Sequence, residues 1–294
     1  MEILLQLIYS GIALGMIYAV IAFGYQLTFA TSDTLNFGQG EALMLGALVG
    51  LTLVDSLGVN YWLAIPVVGA FGMLQGALVE RIGVRPAIKI KSEFGWIMST
   101  IALGIIFKNV AENIWGRDDL KFPSPLPEAP MKILGANVLP MELLVIAGAL
   151  VMMLAVEFFN RKTIYGKAVV ATFNDRDAAK LMGINLNRVI TTTFLVGGLA
   201  TGAAAFFYIT VFEYTKFNIG FTMGLAAFTA AVIGGIGNIR GAFFGGVALG
   251  LAEVYVSSIL GTQWKSVTVF IILVLILLFK PSGLFGEAIT QARA

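Results

Sequence analysis

Long apolar runs fill most of this chain, and they constrain its fold more than any other feature. Because only helices or closed barrels satisfy backbone polar groups in lipid, and because the runs are continuous rather than alternating, they predict helices. A helix needs about 20 apolar residues to cross the bilayer core. We therefore predict an all-α fold, a polytopic transmembrane helical bundle of about eight or nine spans, in which residues 1–294 form a single domain. The candidate spans lie at about 4–29, 34–54, 61–79, 94–114, 140–159, 188–212, 221–236, 241–261 and 266–279.

The composition excludes several classes of function. Of the 294 residues, 58% are hydrophobic and 12% are charged, which is about half the charged fraction of a soluble domain. The absence of cysteine and histidine removes disulfides, thiolate chemistry, histidine catalysis and most zinc or haem sites. The glycines at 234, 235 and 237 resemble a phosphate loop but lack its lysine and its strand–helix context. We expect no catalytic residue, no metal site, no cofactor bound by this chain and no nucleic-acid partner.

Basic residues cluster between particular runs, and this predicts the orientation of the chain. Cytoplasmic loops of membrane proteins are enriched in Lys and Arg. Segments 80–92 and 160–188, with three later positions, hold 13 of the 19 basic residues, so we place them in the cytoplasm. The N-terminus is then outside the cell and the C-terminus inside it, and the first helix is expected to be retained because it lacks signal-peptide features. The 13 residues are Arg81, Arg85, Lys89, Lys91, Arg161, Lys162, Lys167, Arg176, Lys180, Arg188, Arg240, Lys280 and Arg293.

Segment 115–139 is the longest external loop in this topology. It contains Pro123, Pro125, Pro127 and Pro130, a density that prevents a regular helix. We predict an ordered connector, and the alternative is a surface that an external partner contacts.

Glycines recur at four-residue spacing within the apolar runs. The pairs include Gly11/Gly15, Gly72/Gly76, Gly198/Gly202 and Gly246/Gly250. Small residues at this spacing let helix backbones approach closely in lipid, so we predict tight helix packing, with a pathway lining as the alternative.

Two runs have polar or glycine-rich interruptions that indicate broken or re-entrant helices. Run 34–54 opens on polar residues, and runs 221–236 and 241–261 are separated by only four residues. Segments 35–40 and 236–241 are weakly alike, each a glycine and asparagine turn before a small-residue helix. Transporters often carry paired interrupted helices in two repeat halves, and this favours an inverted repeat.

Polar residues inside the spans are the candidates for a translocation pathway. Ionisable side chains within lipid are costly and usually face a cavity or a partner helix. Glu41 and Glu253 are the clearest cases, and Asn36, Phe37 and Gln39 precede Glu41 in the same interrupted run. The alternative is that these side chains form structural hydrogen bonds between helices.

The segment 160–188 is a polar, mostly basic island between two apolar runs. Asn174 and Asp175 supply an N-cap, and Gly183 fits the position that ends a helix. The helix between them is too short to be stable alone, so we expect it to dock on a soluble partner, with a position on lipid headgroups as the alternative. The candidate docking residues are Asn174, Asp175, Arg176, Asp177, Ala178, Ala179, Lys180, Leu181, Met182 and Gly183.

Four segments resemble a known family. Residues 166–185 (GKAVVATFNDRDAAKLMGIN) resemble the coupling loop of ABC importer permeases. Residues 35–41 (LNFGQGE), 216–242 (KFNIGFTMGLAAFTAAVIGGIGNIRGA) and 280–286 (KPSGLFG) are similar to the branched-chain amino-acid permease family, above all to the smaller of its two permeases. The triplet Thr172-Phe173-Asn174 departs from the family pattern, which puts the fit of the partner in question.

The resemblance implies a permease subunit that works in an assembly. Its partners would be a second homologous permease, two cytoplasmic ATPases that bind ATP and dock on the short helix, and a periplasmic solute-binding protein. Branched-chain amino acids are the expected cargo, and urea, amides or an aromatic acid are the alternatives within the family. A self-sufficient secondary transporter or channel for a small polar solute is the competing function, with Glu41 and Glu253 as its only candidates for ion coupling.

Overall fold

The computed structural model describes residues 2–90, 94–123, 129–133 and 135–286. A π-helical turn, Thr52–Ser56, extends the second helix, and another, Glu80–Val84, joins the third helix to the fourth. The helices are α1 (Glu2–Ser32), α2 (Gln39–Leu51), α3 (Tyr61–Val79), α4 (Arg85–Lys89), α5 (Gly95–Trp115), α6 (Pro140–Lys162), α7 (Ile164–Asn174), α8 (Arg176–Leu181), α9 (Leu186–Phe212), α10 (Ile219–Gly234), α11 (Ile239–Leu260) and α12 (Lys265–Phe279).

The prediction of an all-α polytopic bundle is confirmed. Within the described ranges, seven helical segments are long and apolar enough to cross a membrane, and α10 is a shorter apolar helix. The predicted loop at 80–92 is wrong, because the helix that begins at Tyr61 continues to Lys89. Pro86 lies inside this continuous helix, directly after the π-helical turn Glu80–Val84, where the backbone hydrogen-bond pattern changes and a missing N–H is more easily accommodated.

The helices form two inverted halves. One half contains α1, α2, α3 and α5, the other contains α9 to α12, and α6 lies between them in sequence. Each half interlocks with the other, because α1 packs most extensively against α11, and α9 against α3. Helices α1 and α9 run antiparallel, since Thr31 hydrogen-bonds to Thr193 at 2.8 Å while Gly24, earlier in α1, contacts Gly197, later in α9. This arrangement is the predicted inverted repeat.

The sequence comparison paired segment 35–40 with segment 236–241, but the structure pairs other segments of the two halves. Helices α1 and α9 both end at a non-glycine residue in the left-handed region, Asp33 (φ 49°) and Glu213 (φ 56°). In each half a short connector follows, and then a short helix, α2 or α10. Both segments begin with an acidic residue and have phenylalanine at the fifth position and glycine at the eighth, a spaced match that the comparison of 35–40 with 236–241 did not find.

Glycine contacts hold the two interlocking interfaces together, as predicted from the four-residue spacing. Gly246 of α11 packs so closely on α1 that a Cβ there would lie 2.6 Å from the Ala19 nitrogen and the Gly15 oxygen. On the other side, a Cβ at Gly72 of α3 would lie 3.0 Å from Cα of Gly202 in α9. Such contacts bring backbone against backbone and give the bundle its rigid centre.

The segment between α5 and α6 contains short strands rather than helix. Strand β1 (Leu120–Lys121) pairs antiparallel with β4 (Tyr214–Thr215), which follows α9, and β2 (Met131–Ile133) pairs with β3 (Ala136–Val138). Pro125 and Pro127 of the predicted loop lie outside the described residues.

Candidate coupling surface and translocation pathway

The predicted short helix is present as α8, and its capping follows the sequence signals. Asp175 is the N-cap, and its Oδ1 accepts hydrogen bonds from the backbone N–H groups of Asp177 and Ala178, both at 2.9 Å. Gly183 ends the helix with φ of 84°, and the N–H of the next residue, Ile184, donates to the Ala179 oxygen at 3.0 Å. Asn174 is not part of this cap, because it is the last residue of α7, a helix that the sequence did not predict.

Helix α8 presents an apolar surface to its surroundings. Leu181 is 88% exposed and Met182 is 83% exposed, whereas Ala179 is buried against the protein. Exposed apolar side chains rimmed by polar residues mark sites of contact with a protein partner or a membrane. Arg176, Asp177 and Lys180 surround them with charge.

Arg176 ties α8 to the end of α1. Its Nη1 lies 2.8 Å from Oδ2 of Asp33, and its Nη2 donates to the Thr31 carbonyl oxygen. Asp33 is the left-handed residue that starts the connector to α2. The predicted docking helix is therefore joined directly to the connector of the first half.

Phe173 of α7 contacts the second half. Its ring packs against Gly237, where a Cβ would lie 2.9 Å from the Phe173 Cζ. Gly237 has φ of 91° and belongs to the turn between α10 and α11. The segment formed by α7 and α8, residues 164–181, thus contacts the connector before α2 in one half and the α10–α11 turn in the other. We call the end of the bundle that carries this segment the α8 end.

Gln26, which the sequence analysis did not single out, fixes the same turn from inside the bundle. This side chain is 1% exposed in the apolar helix α1. Its Nε2 donates to the carbonyl oxygens of Ala231 and Gly235, both at 3.0 Å, and its Oε1 accepts from the Gly237 N–H. A lone glutamine among apolar residues of a span was the available signal, since buried amides must find partners.

The connector from Asp33 returns into the bundle before α2 begins. Gln39, the first residue of α2, donates to the Thr201 hydroxyl of α9 and packs against Gly24. Gly24 lies eight residues before the end of α1 at Ser32, which corresponds to about 12 Å of helix. The next residue, Gly40, contacts Gly220, so the N-termini of α2 and α10 meet inside the bundle.

Three predicted pathway residues lie together in this connector and bond to neighbouring helices. Asn36 donates to Oε1 of Gln39 at 3.0 Å, and both side chains are buried. Phe37 stacks on Trp96 of α5 with 6.2 Å between ring centroids, and its N–H donates to the Thr100 hydroxyl at 3.3 Å. These contacts join α2 to α5 and α9.

Glu41 lies two residues after Gln39, in the first turn of α2, between Gly104 of α5 and Gly220 of α10. Its side chain is buried, and its Oε2 has no hydrogen-bond partner among the described residues. The N-termini of α2 and α10 both lie against this carboxylate, and their positive dipole ends favour a negative charge there. Glu41 thus occupies the kind of position in which half-helices of transporters hold an anionic group.

Glu253 lies apart from the other four candidates. It is buried on α11, where its Oε2 accepts a hydrogen bond from the Tyr18 hydroxyl at 2.8 Å. It lines a separate cavity between α1 and α9 to α12. The structure therefore divides the predicted pathway residues into two groups.

An interlocked bundle of membrane helices, with two short helices that start inside it and a helical segment joined to both halves, defines a multi-pass membrane transport protein. The sequence model of the family described as "Branched-chain amino acid transport system / permease component" matches residues 7–278, and the chain belongs to this family. The family consists of permease components, so the chain is a transport protein and not an enzyme.

The relatives agree with this assignment. The chain is 33% identical to the high-affinity branched-chain amino acid transport system permease protein LivH of Escherichia coli (strain K12), over 96% of both chains. It is 31% identical to BraD of Pseudomonas aeruginosa, a permease protein of the same description, again over 96% of both chains. Among solved structures, it is similar to PsaBC from Streptococcus pneumoniae in complex with Fab, with a TM-score of 0.49, 17% identity, and coverage of 93% of this chain and 91% of the other.

Proposed function

We propose that this chain is the inner-membrane permease subunit of an ABC importer for amino acids, with branched-chain amino acids as the cargo. It forms half of a translocation pathway, and a second homologous permease forms the other half. Two cytoplasmic ATPases drive the transport, and a periplasmic binding protein delivers the cargo. The α8 end faces the cytoplasm, which places the N-terminus outside and the C-terminus inside, in agreement with the distribution of Lys and Arg.

The observation that carries this proposal is the link from α8 to both halves of the bundle. Leu181 and Met182 insert into a groove of an ATPase, in the manner of exposed apolar anchors at other interfaces. When the ATPases close, α8 moves, and Arg176 transmits the movement to Asp33 and the connector before α2. Phe173 transmits it to Gly237 in the other half. One docking element thereby acts on the α1–α2 connector of the first half and on the α10–α11 turn of the second half.

The cargo proposal has separate support. LivH and BraD, whose names refer to branched-chain amino acid transport, align over nearly the full length of the chain. Urea, amides and aromatic acids remain the alternative cargo, and uptake by the reconstituted assembly, measured with each labelled compound, decides among them.

The coupling proposal is tested with the double variant Leu181→Ser and Met182→Ser. Because anchor side chains at an interface each contribute about 1–2 kcal/mol or more, we expect the ATPases to co-purify about tenfold less and uptake to fall in proportion. Ile90→Ser is the matched control, since Ile90 is also strongly exposed, at 77%, but lies outside the candidate docking residues 174–183. Unchanged co-purification, ATP hydrolysis and uptake in the double variant would show that α8 is not the docking element.

A second measurement separates the importer from a self-sufficient transporter. The chain is reconstituted alone into liposomes, and uptake is measured under a proton or sodium gradient. We expect no uptake above that of empty liposomes. Robust gradient-driven uptake without ATPases would instead support the secondary transporter, with Glu41 and Glu253 as its coupling residues.

A further inference from the structure

A cavity of about 410 Å³ lies within this single subunit, at the end of the bundle opposite the α8 end. Its lining includes Tyr214, just after the C-terminus of α9, and Thr262, just after the C-terminus of α11. Helix α8 contacts Asp33, which follows the C-terminus of α1. Because α1 and α9 run antiparallel, the C-terminus of α9 is at the opposite end of the bundle from α8. Small-molecule sites in proteins are typically about 300–1,000 Å³ in volume, so the cavity has the size of a ligand site.

Two opposite charges line the cavity on different helices. Glu253 of α11 is 4% exposed, and the one hydrogen bond that it accepts among the described residues is from the Tyr18 hydroxyl to Oε2. Lys265, the first residue of α12, supplies an ammonium group. A buried carboxylate is costly unless it has partners, and one hydroxyl satisfies only part of its hydrogen-bonding capacity.

The remaining wall is mostly apolar. Leu14, Met223 and Val269 contribute aliphatic or thioether side chains from three different helices. Tyr208 and Phe212 add an aromatic pair with ring centroids 4.6 Å apart. The cavity therefore combines one negative group, one positive group and an apolar surface. These features complement a molecule that has an ammonium group, a carboxylate group and an apolar side chain.

We propose that this cavity binds an α-amino acid with an apolar side chain, with its ammonium at Glu253 and its carboxylate at Lys265. The proposal rests on the proposed function, because the topology places the cavity at the external end, where delivered cargo arrives. It adds a selective site inside this subunit. A monocarboxylate or a simple amine would leave one of the two charges without a partner, and the site therefore discriminates against both.

Direct binding to the full-length chain in lipid nanodiscs tests the proposal. Equilibrium dialysis with labelled L-leucine measures affinity, and unlabelled 4-methylpentanoate, which lacks the ammonium, and 3-methylbutylamine, which lacks the carboxylate, compete with it. We expect saturable leucine binding, with each analogue at least about tenfold weaker because one charged group of the site is left unpaired.

Matched variants assign the two charges. Glu253→Gln should weaken leucine binding at least about tenfold and abolish the preference for leucine over 4-methylpentanoate. Lys265→Gln should abolish the preference over 3-methylbutylamine, and its position at the start of α12 makes it a second test that does not disturb the buried Tyr18 contact. Glu142→Gln is the control, since Glu142 is also buried and accepts from a hydroxyl, that of Ser10 at 2.5 Å, but does not line the cavity.

The outcomes separate this proposal from the proposed function. Absence of saturable leucine binding, or equal affinities and preferences in Glu253→Gln, Lys265→Gln and Glu142→Gln, would overturn the site. If the α8 variants still uncouple the ATPases in that case, the permease assignment stands and only the cavity proposal falls. If leucine binds as expected but the ATPases never associate, the coupling proposal falls and the site stands.

Discussion

Substitution of Gly72 by alanine tests whether backbone contact between α3 and α9 stabilises the bundle. The added methyl group would lie against the Gly198 carbonyl oxygen and 3.0 Å from Cα and N of Gly202, and backbone atoms cannot rotate away. Overpacking of this kind costs about 2–3 kcal/mol, and the higher helix propensity of alanine offsets about 1 kcal/mol. The net loss of about 1–2 kcal/mol lowers the ratio of folded to unfolded protein about 5- to 30-fold.

Gly69 provides the matched control on the same helix. A methyl group there would meet only Cδ1 of Leu199, at 2.9 Å, which is the end of a side chain that can rotate. Gly69→Ala should therefore be no less stable than the unsubstituted chain, and up to about 1 kcal/mol more stable because of the helix propensity of alanine. The assay is unfolding of the purified chain by increasing SDS in mild detergent micelles, followed by tryptophan fluorescence. If Gly72→Ala unfolds at the same SDS fraction as Gly69→Ala, the close approach of α3 and α9 does not stabilise the bundle as argued.

Two further substitutions test the connectors. Arg176→Gln removes a half-exposed ion pair worth at most about 1 kcal/mol, so folding should persist, while uptake per ATP hydrolysed by the reconstituted assembly falls about fivefold or more. The exchange Arg176→Asp with Asp33→Arg should restore it, and Asp55→Asn, at an exposed position outside residues 164–183, should leave it unchanged. Failure of the exchange to recover any coupling would count against transmission through this pair. Gln26→Met leaves the Gly237 N–H without its partner and takes one hydrogen bond from each of the Ala231 and Gly235 carbonyl oxygens. It should lower the free energy of unfolding by about 2 kcal/mol in the same SDS assay, whereas Gln6→Met, at an exposed position of the same helix, should not. Equal stability of the two glutamine variants would argue that the amide does not hold the turn.

Features that depend on neighbouring residues were predictable from the sequence. Hydropathy located the spans, because lipid imposes the same length and polarity on each of them. The cap at Asp175 and the stop at Gly183 were also predicted, because both act within a few residues of backbone. Helix α7 was missed, since its 11 residues mix apolar and polar positions without a clear break from the island around it.

Features that depend on the packing of distant segments were not predictable. The ion pair between Arg176 and Asp33 joins residues that are far apart in sequence, and nothing local to either residue indicates the other. The grouping of Glu41 with Gly220, and the separation of Glu253 from both, follow from how the halves interlock. The connector that turns back at Asp33 was indicated only as an interrupted run, because a left-handed aspartate has no strict sequence signature.

The contacts between helices indicate how a displacement of α8 would spread through the bundle. The α1–α11 and α3–α9 interfaces place backbone against backbone at Gly246 and Gly72, and such contacts do not slide without separating the helices. The N-termini of α2 and α10 meet in the same way, because a Cβ at Gly40 would lie 2.6 Å from Cα of Gly224, and the Glu41 carboxylate lies beside this contact. In the proposed coupling, movement of α8 would reach the α2 connector through Arg176 and the far end of α10 through Phe173 and Gly237. We therefore expect α8 to shift the two short helices together, as a unit joined at Gly40, rather than one against the other.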